Sequence, residues 1–203
     1  SHAAAALRDL LAPPRCPACR GAATRAAAGG LCARCAGALS QARPRALVLG
    51  SQHRLDVLAA VPYVSPATGL VAALKSGRVP GAANLMAELM AAALPLPLPG
   101  EPVLVPVGAS PVRRLRRGLD PAAEITVALA GLLGLEASPA LLRRRPSRPQ
   151  RGRSRELRLS SPPGFAVARR RPASPAAVLL VDDVVTTGGT LLSCAEALSG
   201  EGF

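Results

Sequence analysis

The alternation of apolar and polar positions divides the chain into short strands and helices. Leu55 to Tyr63 is a continuous, mainly apolar run that reads as a buried strand, with helix left open by its alanines. Residues 67–76 and 82–94 carry helical spacing and stop at Gly77 and Pro95. A proline-rich turn over 95–102 leads to the β-branched run Val103–Val107. Proline cannot donate to a ladder, so Pro106 predicts that this strand leaves its sheet there. Residues 108–118 read as a loop holding Arg113, Arg114, Arg116 and Arg117. Asp120-Pro121 then opens a helix to about Leu133, with Asp at the N-cap and Pro at the first helical position. Residues 143–163 are rich in arginine and proline, lack periodicity, and read as a long loop. The clearest strand covers 176–181, and a helix follows over 190–198. No internal repeat is visible. Strand, loop, helix, repeated, predicts an α/β fold with a parallel sheet flanked by helices.

Composition narrows this picture. The 203 residues suffice for one medium domain and a small module. Hydrophobic residues make up 49% but aromatics only 1%, so the core must consist of leucine, valine and alanine. Scarce aromatic faces argue against a base-stacking nucleic-acid platform. The formal charge is +13, and Lys75 is the sole lysine. This arginine bias resembles a coding bias, which discounts the charge as functional evidence, although a basic chain still attracts anions. No apolar run reaches the ~18–20 residues of a membrane span. Residues 3–6 are too short for a signal-peptide core, and the opening Ser1-His2 reads as a tag remnant. A cytoplasmic protein is expected.

Five cysteines are present, four of them in two CxxC pairs. Cys16, Cys19, Cys32 and Cys35 offer two tight knuckles and a four-thiolate shell, which suits a structural Zn²⁺. Gly21, Gly29 and Gly30 supply turns. Two disulfides or a redox CxxC are the alternatives. Four thiolates leave no open coordination position, so zinc catalysis is not expected. The predicted organisation is a small ribbon over 1–45 and a larger domain over 46–203, with separate cores. Cys194 reads as a buried small hydrophobe.

The densest chemistry lies between Val178 and Thr190. An apolar strand runs into Asp182 and Asp183, a Thr/Gly loop follows, and a helix begins. Gly188 and Gly189 let backbone approach a ligand, and N–H groups with the hydroxyls of Thr186, Thr187 and Thr190 suit phosphate oxygens. No Gly-Lys-Thr is present, so this is not a Walker A loop. Carboxylates repel phosphate but accept hydrogen bonds from a diol. Phosphate donors beside diol acceptors describe a sugar phosphate.

Leu179 to Thr190 closely resembles the phosphoribosyl-pyrophosphate (PRPP) signature of type I phosphoribosyltransferases. With the four cysteines, the chain resembles the ComF/GntX-like, competence-associated family, which joins a zinc ribbon to a phosphoribosyltransferase domain. Leu74-Lys75-Ser76-Gly77, Val105-Pro106-Val107 leading to Arg117-Gly118-Leu119-Asp120, and the basic stretch Arg143 to Phe165 resemble further family segments. Leu119, Asp120 and Pro121 depart from the family's Phe, Asn and Gln, and the family continues past the position of Phe203. The resemblance implies that Asp182 and Asp183 hold the ribose hydroxyls and that Thr186, Thr187, Gly188, Gly189 and Thr190 cradle the 5′-phosphate. PRPP or a ribose 5-phosphate nucleotide is then the ligand, with Mg²⁺ on its pyrophosphate. Arg116 and Arg117 are the leading pyrophosphate contacts, Arg113 and Arg114 come next, and Lys75 is within reach of the site. The 143–163 segment would act as a lid. No general base stands out: His2 and His53 lie outside the motifs, and Glu124 reads as a solvated helix residue. Two functions remain, phosphoribosyl transfer to an unknown nitrogenous acceptor, or a non-catalytic PRPP sensor whose basic surface binds single-stranded DNA or competence proteins.

Overall fold

A computed structural model of the protein describes residues 15–23, 30–50, 54–77, 79, 81–108, 118, 120–139, 142–144, 164–167 and 177–203. Within these, the elements are α1 (Ala33–Ser40), β1 (Arg45–Leu49), β2 (Leu55–Ala59), α2 (Ala67–Ser76), α3 (Ala82–Ala93) and β3 (Val103–Pro106). They continue as α4 (Pro121–Leu133), β4 (Leu142–Arg144), β5 (Phe165–Val167), β6 (Val178–Val181) and α5 (Gly189–Ser199). Helices α2 to α5 fall where the apolar spacing places them, whereas α1, within the cysteine segment, is a helix the pattern did not announce. β2 ends at Ala59, short of the predicted Tyr63, because Pro62 interrupts the run. It pairs antiparallel with β1, a strand the pattern did not announce. The 143–163 segment, expected as loop throughout, begins inside β4, which pairs antiparallel with β5; residues 145–163 lie outside the described residues.

The parallel element is the β3–β6 pair, in register from Val103↔Val178 to Pro106↔Val181. Pro106 stays within this ladder, contrary to expectation. The reason is the alternation of N–H directions. Val103 donates to the Ala177 carbonyl (3.1 Å) and Val107 to the Val181 carbonyl (2.8 Å), whereas Leu104 donates the other way, to Glu136 (2.8 Å). Pro106 shares the side of Leu104, so its missing donor costs the β3–β6 pairing nothing.

Both faces of this pair are covered, as a parallel sheet requires. Leu104 and Val181 join one apolar cluster with Leu85 and Met86 of α3 and Ile125 and Leu129 of α4. Val103, Val105 and Val107 join another with Phe165 of β5 and Leu191, Cys194 and Leu198 of α5. Cys194 is thus buried among apolar side chains, as expected.

The cysteine knuckles do not have a core of their own. Cys16 and Cys35 belong to the first cluster, together with Leu70, Val71 and Leu74 of α2. A Cβ on Gly69 would overlap the Ala18 carbonyl, so the first knuckle lies directly on α2. The separate cores expected from the sequence are one core here. So short a segment cannot bury itself, and it borrows the helix beside it.

Leu70 is 1% exposed and lies where knuckle and helix meet. Leu70→Ala is expected to cost about 2–5 kcal/mol and to speed metal loss to a chelator. Heating should release metal and lose tertiary structure in one transition; two separated transitions would indicate independent cores.

Candidate functional site

The first knuckle closes through backbone bonds. Arg20 N–H donates to the Cys16 carbonyl (2.8 Å) and Cys16 N–H to that of Gly21 (2.9 Å). The second uses a helix start: Cys32 caps α1 and Cys35 lies in its first turn, where the helix dipole favours negative charge. The four sulfur atoms lie within 4.8 Å of one another, and Cys19 Sγ is 3.7 Å from Cys32 Sγ. All are free thiols. Burial pushes the Cys16 thiol up, but N–H groups of Cys32, Cys19 and Ala18 outweigh it and hold the group at about 6. A backbone contact from Gly21 lowers Cys19. Burial raises Cys35, and the neighbouring sulfurs raise it further. Four clustered thiols cannot all ionise unless a cation shares them. The cluster could hold a metal ion, and its soft four-sulfur set is consistent with structural Zn²⁺. Among the described residues it is the one group of three or more His, Cys, Asp or Glu with ligating atoms this close. Protein purified without added metal should contain about one zinc equivalent, and Cys32→Ser should lose it; a metal-free protein with four titratable thiols would contradict this.

The second constellation stands at the end of β6. Val181 is buried, and the chain then turns through Asp182 and Asp183. Asp183 N–H donates to Asp182 Oδ1 at 2.8 Å, which ties the Asp182 carboxylate to the backbone of its neighbour. Lys75 in the last turn of α2 reaches across, its Nζ 2.9 Å from Asp183 Oδ2. Their side chains are 35% and 13% exposed, so this is a partly sheltered ion pair. α2 ends at once because Gly77 adopts φ 64, a left-handed conformation that favours glycine. Asp182 is pushed up to about 7, first by burial and then by the charge of Asp183, with Asp120 adding to the rise. The Asp183 N–H and Lys75 oppose that rise.

The loop beyond exposes Thr186 and Thr187 and buries Gly188. Gly188 caps α5 at φ 75. A side chain there is strained by this conformation, and Leu49 of β1 would have to shift to admit its Cβ. The expected close approach of a ligand at Gly188 meets Leu49 of the hairpin there instead. Gly189 and Thr190 form the first turn of α5, whose N–H groups have no partner within the helix. Beside the carboxylates lies a cavity of about 530 Å³, between the β1–β2 hairpin, residues 60–64, α2 and α3. Asp182, Asp183 and Thr186 line one end, and both methionines, Met86 and Met90, line the apolar wall. A further cavity of about 300 Å³ runs between β2, β6 and α5.

The structure therefore brings together Lys75, Asp182, Asp183 and the 186–190 loop. Arg113, Arg114, Arg116 and Arg117, and both histidines, lie outside the described residues. Glu124 is exposed, as expected. The residue that sequence reasoning missed is Asp120, whose charge is felt at Asp182; its signal was the departure from the family's Asn. No helix among the described residues is long and apolar enough to cross a membrane. The chain matches no protein-family model and no curated protein.

Because folding raises the Asp182 value from 3.8 to about 7, the native state holds this proton more tightly than the unfolded chain. Stability contributed at this site should fall as pH rises from about 4 to 7 and then level off. Asp182→Asn removes that fall. Relative to the wild type, its unfolding free energy should be greater at pH 8 than at pH 4.5 by on the order of a few kcal/mol. Parallel pH profiles for the two proteins would refute the assignment.

Proposed function

We propose that the turn after β6 holds the ribose 5-phosphate part of PRPP or a related nucleotide, and that the protein is a phosphoribosyltransferase-like member of the ComF/GntX-like family. One observation carries this reading: a parallel strand delivers two adjacent carboxylates, and within a few residues a helix begins at a left-handed glycine. Carboxylates accept hydrogen bonds from a diol, while the first-turn N–H groups of α5 and the hydroxyls of Thr186, Thr187 and Thr190 donate to phosphate. Their order along the chain, acids first and donors second, sets the ribose toward β6 and the 5′-phosphate toward α5. In this reading the small parallel sheet is the centre of a type I phosphoribosyltransferase-like fold.

The neighbouring cavity gives room for the group joined to, or departing from, the sugar. Its apolar wall suits an uncharged ring more than a second phosphate. Mg²⁺ would arrive with the pyrophosphate of the ligand, supplying charge neutralisation there. Arg116 and Arg117 remain the candidate pyrophosphate contacts, because a guanidinium fork matches paired oxygens.

Calorimetric titration with Mg-PRPP tests the assignment. Asp182→Asn with Asp183→Asn should weaken PRPP, each lost charged hydrogen bond costing about 1.5–3 kcal/mol, while inorganic phosphate binding persists. Unchanged PRPP affinity in the double variant would overturn the reading. Pyrophosphate release across a panel of purine and pyrimidine bases then separates transferase from sensor.

A further inference from the structure

We propose that Lys75 is a positioning residue, and that the first cysteine knuckle sets its place on Asp183 through helix α2. Three observations meet on this helix. Near its N-terminal end, Gly69 receives the Ala18 carbonyl, an approach that even one methyl group would block. Along its length, Leu70, Val71 and Leu74 are buried in the cluster that includes Cys16 and Cys35. At its last turn, Lys75 meets Asp183 at 2.9 Å. The knuckle therefore bears on one end of a ten-residue helix and the carboxylate turn on the other.

A helix is stiff along its axis, rising about 1.5 Å per residue. A shift of the knuckle by even an ångström or two therefore moves the whole of α2. Asp183 cannot follow such a shift freely, because its own N–H is bonded to Asp182 and β6 anchors it to β3. The Lys75 ammonium either reaches Asp183 or does not, according to where α2 lies. Metal at the four thiolates fixes the knuckle, since all four sulfurs must meet one ion. Metal occupancy is thereby linked to the charge environment of the carboxylate pair.

The inference concerns the ion pair and does not depend on what the carboxylates bind. The test reads the pair itself, so it can fail or succeed apart from the PRPP assignment. Lys75 is the sole lysine and Met86 and Met90 the two methionines of the chain, which gives clean probes for each question. Reductive ¹³C-methylation of the zinc-loaded protein yields one dimethyl-lysine signal besides the terminal amine. ¹³C-methyl methionine reports the fold of α3. Asp183→Asn supplies the reference shift for Lys75 without its partner.

Gly69→Ala, with zinc retained, should move the Lys75 signal at least halfway to that reference while both methionine signals stay dispersed. Removing zinc from the wild type should move it in the same direction. Neither change should move the signal in the Asp183→Asn background, and Lys75→Arg should keep the wild-type methionine shifts. If Lys75 keeps its wild-type shift in either perturbed, folded protein, the proposal is overturned. Loss of the dispersed methionine signals in both also counts against it, because coupling seen only as global unfolding is not positioning.

Discussion

Two adjacent carboxylates at the sheltered end of a strand impose a cost on everything around them. Removing charge from water is unfavourable, and a second like charge beside the first makes it more so. The structure answers with a division of labour. Asp183 pairs with Lys75, while Asp182 takes the Asp183 N–H and holds its proton to about neutral pH. That solution requires a cation delivered from elsewhere in the fold, and it comes from the end of α2. The placement of α2, the stop at Gly77 and the packing beneath Leu74 are all conditions for the carboxylate pair to exist.

An aromatic-poor core makes these conditions stringent. Leucine, valine and alanine fill space in small increments, so helices approach closely and backbone meets backbone. The Ala18 carbonyl against Gly69 is one such approach. The fully buried Ala87 of α3 reflects the same economy of volume. A core of this kind tolerates little displacement before side chains collide. Motion at the cysteine cluster is for that reason not absorbed locally.

The legible parts of the molecule were those whose cause is local. The strand that runs up to Asp182, the helix beginning near Gly188, and the clustering of the four cysteines each depend on a few neighbouring residues. The starts and stops of α2, α3 and α4 were equally readable, because apolar spacing and the following Gly or Pro act within a turn or two. What escaped the sequence depends on partners far along the chain. β1 is mostly exposed and starts at Arg45, so no buried alternation marks it. Pro106 seemed to end a strand because the side on which its missing donor falls is decided by the neighbouring strands. The knuckles seemed self-contained because their ligands are close in sequence, whereas their apolar faces belong to α2. Lys75 was placed within reach of the site by the sequence, but its pairing with Asp183 in particular depends on where α2 packs.

The contact between Leu49 and Gly188 joins two stretches that lie far apart in the chain. The hairpin stands apart in sequence from the Thr/Gly loop, yet its leucine packs against that loop. A smaller residue at position 49 would leave a void behind that loop. A side chain at position 188 would have to displace the leucine and strain its own backbone. Position 188 is thus held to glycine by its backbone alone, while the size of residue 49 sets how closely the hairpin seats on the loop.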